Sequence, residues 1–157
     1  MSNGFRLISG PPPCTTEYMQ RLLVRLAVLG PVRWLLCGNH IDLQSVIYDV
    51  TQRANGDYFN VLENNIAIAR AETCYQVVAL LRKTEAAPTP TLVTDLLSNF
   101  YDEGVRDDEA TKLLNEGLLA LRQLGQGGPV VVSASCHNQR PQLHTTLIQS
   151  AKHVLSM

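Results

Sequence analysis

Apolar positions along the 157-residue chain alternate between two periods. Residues 5–9 form an apolar run of strand length. Beyond a Gly-Pro turn, Met19, Leu22, Leu23 and Leu26 recur at i, i+3, i+4 and i+7, one face of a helix that Gly30-Pro31 ends. Residues 32–37 are apolar apart from Arg33, as suits a parallel strand covered on both faces. Leu43, Val46, Ile47 and Val50 repeat the helical spacing behind Asp42, a residue suited to capping a helix. Asn55-Gly56-Asp57 signals a loop, residues 65–69 alternate as a short strand, and Thr73, Val77, Leu80 and Leu81 share a helical face.

The second half continues in the same way. A Pro-rich connection over residues 85–90 leads into an apolar strand over 91–97, then a polar, acidic loop over 98–108. Leu114, Leu118, Leu121 and Leu124 form a helical stripe that stops at Gly125, and residues 129–134 are again a strand. A polar loop over 136–142, a last helix and a strand near 153–156 complete the chain. Strictly alternating strands and helices predict an α/β fold: a three-layer parallel sheet with helices on both faces, in one domain spanning residues 1–157.

Charge narrows the partners. Thirteen Lys and Arg against 14 Asp and Glu leave a net charge of −1, which gives no global attraction to nucleic acid or to an anionic membrane. Only 17% of residues are charged, few enough to suggest that a partner covers part of the surface. No apolar run reaches the roughly 20 residues that cross a bilayer, so a soluble protein is expected. Cys14, Cys37, Cys74 and Cys136 are scattered without a C-x-x-C pair or a signal peptide, and read as reduced thiols of a cytosolic or nuclear protein.

The most informative stretch is LISGPPPCTTE, Leu7 to Glu17, where strand, turn and helix follow one another as in a phosphate-binding loop. Against G-x-x-x-x-G-K-[ST], Gly10 is in place, but Thr15 stands at the second Gly, Thr16 at the Lys and Glu17 at the magnesium-binding hydroxyl. A carboxylate there repels a triphosphate, and Pro11, Pro12 and Pro13 each remove an N–H of the kind that cradles phosphate.

Several segments resemble the ATPase core of RecA-type recombinases and their paralogues, including KaiC-like proteins. NNIAIARAETCYQVVALL resembles that family's third strand and following helix. TLVTDLLSNFYDEG resembles its Walker B strand, with Asp95 at the metal-facing carboxylate, and SAKHVLSM resembles its "A-D-x-V-L-x-L" strand. The resemblance implies a RecA-like P-loop NTPase core. It also implies a nucleotide site at Gly10, Thr15, Thr16 and Asp95, with ATP and magnesium as its cofactors. The departures predict that this site is degenerate: the turn after the second strand reads CGNHID, with Asn39 or His40 where the family keeps a catalytic Glu, and the loop Lys and hydroxyl are absent. No cofactor is therefore expected.

Other candidates lie at strand ends and in the loops. Asp95 could instead terminate a strand. Cys14, Cys37, His40, Cys136 and His137 fall just after strands but lack paired metal-ligand spacing. Arg140 sits where the resemblance places a DNA-binding loop, although Asp102, Glu103, Asp107 and Asp108 on the companion loop would repel a nucleic-acid backbone. Phe100 and Tyr101, with His40, are candidate anchors for a protein partner or a homo-oligomer, the alternative being that the aromatics tuck back onto the sheet. His144 and His153 read as surface residues without a special role. Two functions are expected from this: a non-catalytic, recombinase-paralogue-like scaffold in DNA repair or recombination, or an atypical ATPase completed by a partner subunit.

Overall fold

The computed structural model describes residues 4–38, 42–54 and 56–157. Its six strands, β1 (Arg6–Ser9), β2 (Val32–Leu36), β3 (Ile66–Arg70), β4 (Thr91–Thr94), β5 (Val130–Ala134) and β6 (His153–Ser156), form one sheet in the order β3-β2-β4-β5-β1-β6. Every pairing is parallel. The order is neither the 3-2-1-4-5-6 of dinucleotide-binding folds nor the 2-1-3-4-5 of flavodoxin-like ones, because β4 and β5 lie between β1 and β2.

Connections divide between the two faces. Helices α1 (Pro12–Leu29) and α2 (Leu43–Arg53), then a short turn α3 (Tyr58–Asn60) that runs into a π-turn at Val61–Asn65, pack on one face. Helices α4 (Cys74–Lys83), α5 (Asp107–Gly127) and α6 (Pro141–Ser150) pack on the other. The first core gathers Ile8, Val32, Trp34, Leu36 and Leu92 under Met19, Leu23, Val24 and Ala27. The second gathers Leu7, Leu35, Val93 and Val132 under Val77, Leu81, Leu114, Leu118 and Leu121. Alternate residues of each central strand therefore feed opposite cores, which is why those strands read as mostly apolar runs without a polar face.

Caps and ties follow local chemistry. Asp42 accepts from the Gln44 N–H at 3.0 Å and Thr73 from the Gln76 N–H at 3.1 Å, each satisfying a donor at a helix start. Asp107, Asp108 and Glu109 occupy the first turn of α5, where the helix dipole favours acids. Arg33, half-buried in β2, donates Nε to Thr91 Oγ1 at 2.9 Å and a terminal nitrogen to the Glu85 carbonyl at 2.5 Å, pinning the Pro-rich connection to the sheet.

The helix phases differ from the sequence expectation in two places. In α1 the fully buried positions are Thr15, Met19, Leu23, Val24 and Ala27, while Leu22 and Leu26 are only partly covered. In α2 only Val46 and Val50 are buried, and Leu43 and Ile47 stand 41% and 47% exposed, because no element packs over that flank. The strand expected over 91–97 ends at Thr94; Leu96 and Leu97 are buried by the turn that follows, not by strand pairing.

Candidate functional site

In open α/β sheets a ligand crevice forms at the carboxyl edge where neighbouring strands send their connections to opposite faces. Three such places exist among the described residues, and one of them, between β3 and β2, is bridged by the Asn99 amide at the Cys37 and Ala71 carbonyls, which leaves two. β2 and β4 meet at Gly38 and Asp95, and β5 and β1 meet at Ser135 and Gly10.

At the second place, Gly10 N–H donates to the Ala134 carbonyl at 3.4 Å and the Gly10 carbonyl accepts from Ser135 Oγ at 2.8 Å. α1 then begins at Pro12, with Pro11 as its N-cap. Pro11, Pro12 and Pro13 have no N–H to give. The next two, those of Cys14 and Thr15, both donate to the Pro11 carbonyl, at 3.0 and 3.1 Å. A phosphate approaching this helix end therefore meets no uncommitted backbone donor in the first turn, unlike the helix starts that bind anions. Thr15 is buried and its Oγ1 donates to the Pro12 carbonyl at 3.2 Å, so its hydroxyl faces the helix, not a ligand. Thr16 lines an outer cleft between α1 and α2, and Glu17 pairs with Arg21 at 2.7 Å on the exposed side. Gly10, Thr15 and Thr16 thus lie together in sequence without forming a phosphate cradle, and the residues present do not fit ATP with magnesium.

Asp95 occupies the first crevice. It is the one non-glycine residue with positive φ among those described (59°), in the region that β-region strand residues avoid. Its N–H donates to Ser133 Oγ at 2.8 Å and its carbonyl accepts from the Ser98 N–H at 3.2 Å, so the kink is held from both sides. The carboxylate lies against Gly38, where a Cβ would come within 2.1 Å of Oδ2. Burial and, after it, the Asp95 charge push the neighbouring Cys37 thiol up to about 12, so Cys37 is an inert neutral thiol.

The segment after Asp95 folds back onto the same edge. Asn99 donates its amide to the Cys37 carbonyl at 2.6 Å and to the Ala71 carbonyl at 3.3 Å. Tyr101 donates its hydroxyl to the Ser135 carbonyl at 2.7 Å, and its ring stacks on His137 with centroids 4.9 Å apart. Burial pushes the Tyr101 phenol well above its ordinary range.

Two expectations change. Phe100 is completely buried in the second core, so it is a packing residue and not an exposed anchor. Arg140 is also buried: it donates to the carbonyls of Phe100 and Val105, and its Nε lies 2.8 Å from Asp107 Oδ1. Those contacts commit the guanidinium to holding the loop before α5, and a DNA phosphate has no access to it. Tyr101 remains half-buried at the edge, whereas Asn39 and His40 lie outside the described residues. Among the described residues no group of three or more His, Cys, Asp or Glu could hold a metal ion; Cys14 and Cys136 are exposed while Cys37 is buried.

Sequence reasoning missed the contact of Ser9 with His144. Ser9 Oγ and His144 Nε2 lie 2.7 Å apart across β1 and α6, and burial lowers the imidazole pKa below its ordinary 6.5. Ser133 and Ser135 were missed as well. Nothing periodic marks such residues; only the pairing of β5 with β1 and with β4 brings them to Gly10 and Asp95.

Compared with known proteins, the chain matches no family profile and no curated sequence. No helix among the described residues is long and apolar enough to cross a membrane.

Proposed function

We propose that this protein is a non-catalytic scaffold built on a RecA-like core of the recombinase-paralogue type, which acts by holding another protein. The observation that carries this reading is the first turn of α1: three prolines without N–H groups, then Cys14 and Thr15 with theirs spent on the Pro11 carbonyl. Phosphoryl transfer depends on positioned donors and cations around the phosphates. Here the donors are consumed and Glu17 supplies an anion.

A role in association is supported by the surface on the α2 side. Ile47, Tyr48 and Phe59 are 47%, 64% and 68% exposed, more large apolar surface on neighbouring elements than isolation in water favours. A place in DNA repair or recombination follows from the resemblance of the Asn64 to Leu81 and Asp95 segments alone.

The alternative, an atypical ATPase completed by a partner, is favoured by one observation, the Asp95 carboxylate at the β2–β4 crevice. Steady-state ATP hydrolysis separates the two. The scaffold reading predicts no turnover above buffer, and turnover that disappears in Asp95→Ala would overturn it.

A further inference from the structure

The opposite end of the sheet, at the amino ends of the strands, carries a groove of about 530 Å³ that no part of the nucleotide argument uses. It exists because α1 crosses over β5, β4 and β2 and covers Ile8 in β1, but among the described residues it leaves Arg6 at the start of β1 and His153 on β6 exposed. The strand register makes the gap visible. Arg6, Val131, Leu92 and Trp34 form one row across the sheet, and His153 continues it onto β6. Leu92 and Trp34 are fully buried, Val131 is half-buried, and Arg6 and His153 are exposed.

The lining is chemically one-sided. Leu22, Leu26 and Val131 form an apolar floor, which accounts for the partial exposure of the two leucines on α1. Arg6, Lys152 and His153 form the rim, and no Asp or Glu is among the described residues that line the groove. In a chain with a net charge of −1, that is a local excess of positive charge beside an apolar surface.

The groove also adjoins an open sheet edge. The Met157 N–H donates inward to the Ser9 carbonyl at 2.8 Å and Leu7 pairs with Val154, so by strand alternation His153 and Leu155 also turn their backbone groups to β1, and those of Val154 and Ser156 point away from the sheet. Among the described residues no strand pairs with that side, and Val154 and Leu155 are 40% and 45% exposed there. Unprotected edges of this kind accept an added strand.

We propose that this groove and the outer edge of β6 form a docking site for an extended acidic segment of a partner protein. Its apolar side chains rest on Leu22, Leu26 and Val131, its carboxylates meet Arg6 and Lys152, and its backbone continues along β6. Nucleic acid fits less well, since the floor of Leu22, Leu26 and Val131 is aliphatic and the one phenyl ring in the lining, Phe5, is buried and offers no face for stacking bases. A second copy of the chain would bring the same basic rim. The inference specifies the kind of partner a scaffold would hold, yet it stands apart from the nucleotide question because the site lies at the other end of the strands.

The test is fluorescence anisotropy with a labelled peptide of alternating Glu and Val, against its Lys and Val counterpart and a single-stranded DNA oligonucleotide. The Glu peptide is expected to bind, and the other two are not. Lys152→Glu, an exposed position, should weaken binding several-fold, and Arg6→Glu with Lys152→Glu by at least about tenfold, which corresponds to about 1.4 kcal/mol. Val154→Pro, which removes an outward N–H, should weaken it further with an unchanged thermal midpoint. The inference is overturned if the Glu peptide does not bind at about 1 mM, if both peptides or the DNA bind equally well, if the folded charge variants bind as wild type does, or if light scattering shows a dimer that the charge variants dissolve.

Discussion

The space a side chain at Gly38 would need is filled by the carboxylate of Asp95, whose Oδ2 lies 2.1 Å from where a Cβ would stand. Two loops that leave neighbouring strands therefore fit together only because one of them carries no side chain. Gly38→Ala is expected to destabilise the protein by about 1–3 kcal/mol, the usual cost of overpacking a close-fitted site. Asp95→Ala in the same chain should recover most of that loss. Urea unfolding of the single and double variants measures it, and strictly additive effects would show that the two residues do not meet.

Leu118 and Leu119 are neighbours in α5 with opposite surroundings, 3% and 59% exposed. Leu118→Ala should cost about 2–5 kcal/mol through the lost burial and the cavity it leaves. Leu119→Ala should change stability by less than about 0.5 kcal/mol. Equal losses in thermal or urea melts would contradict the observed helix phase.

Arg140 holds the turn before α5 through two carbonyls and Asp107. Arg140→Met should cost about 2–3 kcal/mol because it leaves buried carbonyls without donors. Arg140→Lys should rescue little, since a single ammonium cannot reproduce the planar fork. Neither change should alter any residual affinity for DNA, measured by filter binding.

These residues also show what the sequence could and could not disclose. The α/β alternation was legible because Trp34, Leu92 and Val132 sit in strands covered on both faces, which leaves a mostly apolar run of strand length. The α5 stripe was legible because Leu114, Leu118, Leu121 and Leu124 all face one core. The lack of uncommitted N–H donors at the start of α1 was half legible. Its prolines could be counted in advance, but that Cys14 and Thr15 spend their N–H groups on Pro11 depends on where α1 starts. Phe100 and Arg140 could not be placed in advance, because a polar, acidic segment gives no periodic sign that one aromatic and one distant guanidinium lock it to the sheet.

Acid should weaken the fold through His144. Burial lowers its pKa from 6.5, so below that value the unfolded chain takes up a proton that the folded chain refuses. The unfolded state then binds more protons, and stability present above pH 6.5 is progressively lost as the pH falls. Thermal midpoints measured across this range should decline, and His144→Gln should flatten that part of the profile. A wild-type midpoint that rises on acidification would contradict the burial of this imidazole.

The central claim is that α1 presents no site for a nucleotide's phosphates, and titration calorimetry with magnesium ATP tests it most directly. The account predicts no saturable heat up to about 1 mM nucleotide, a limit corresponding to a binding free energy no better than about −4 kcal/mol. Saturable binding in the micromolar range that Asp95→Ala abolishes would contradict it.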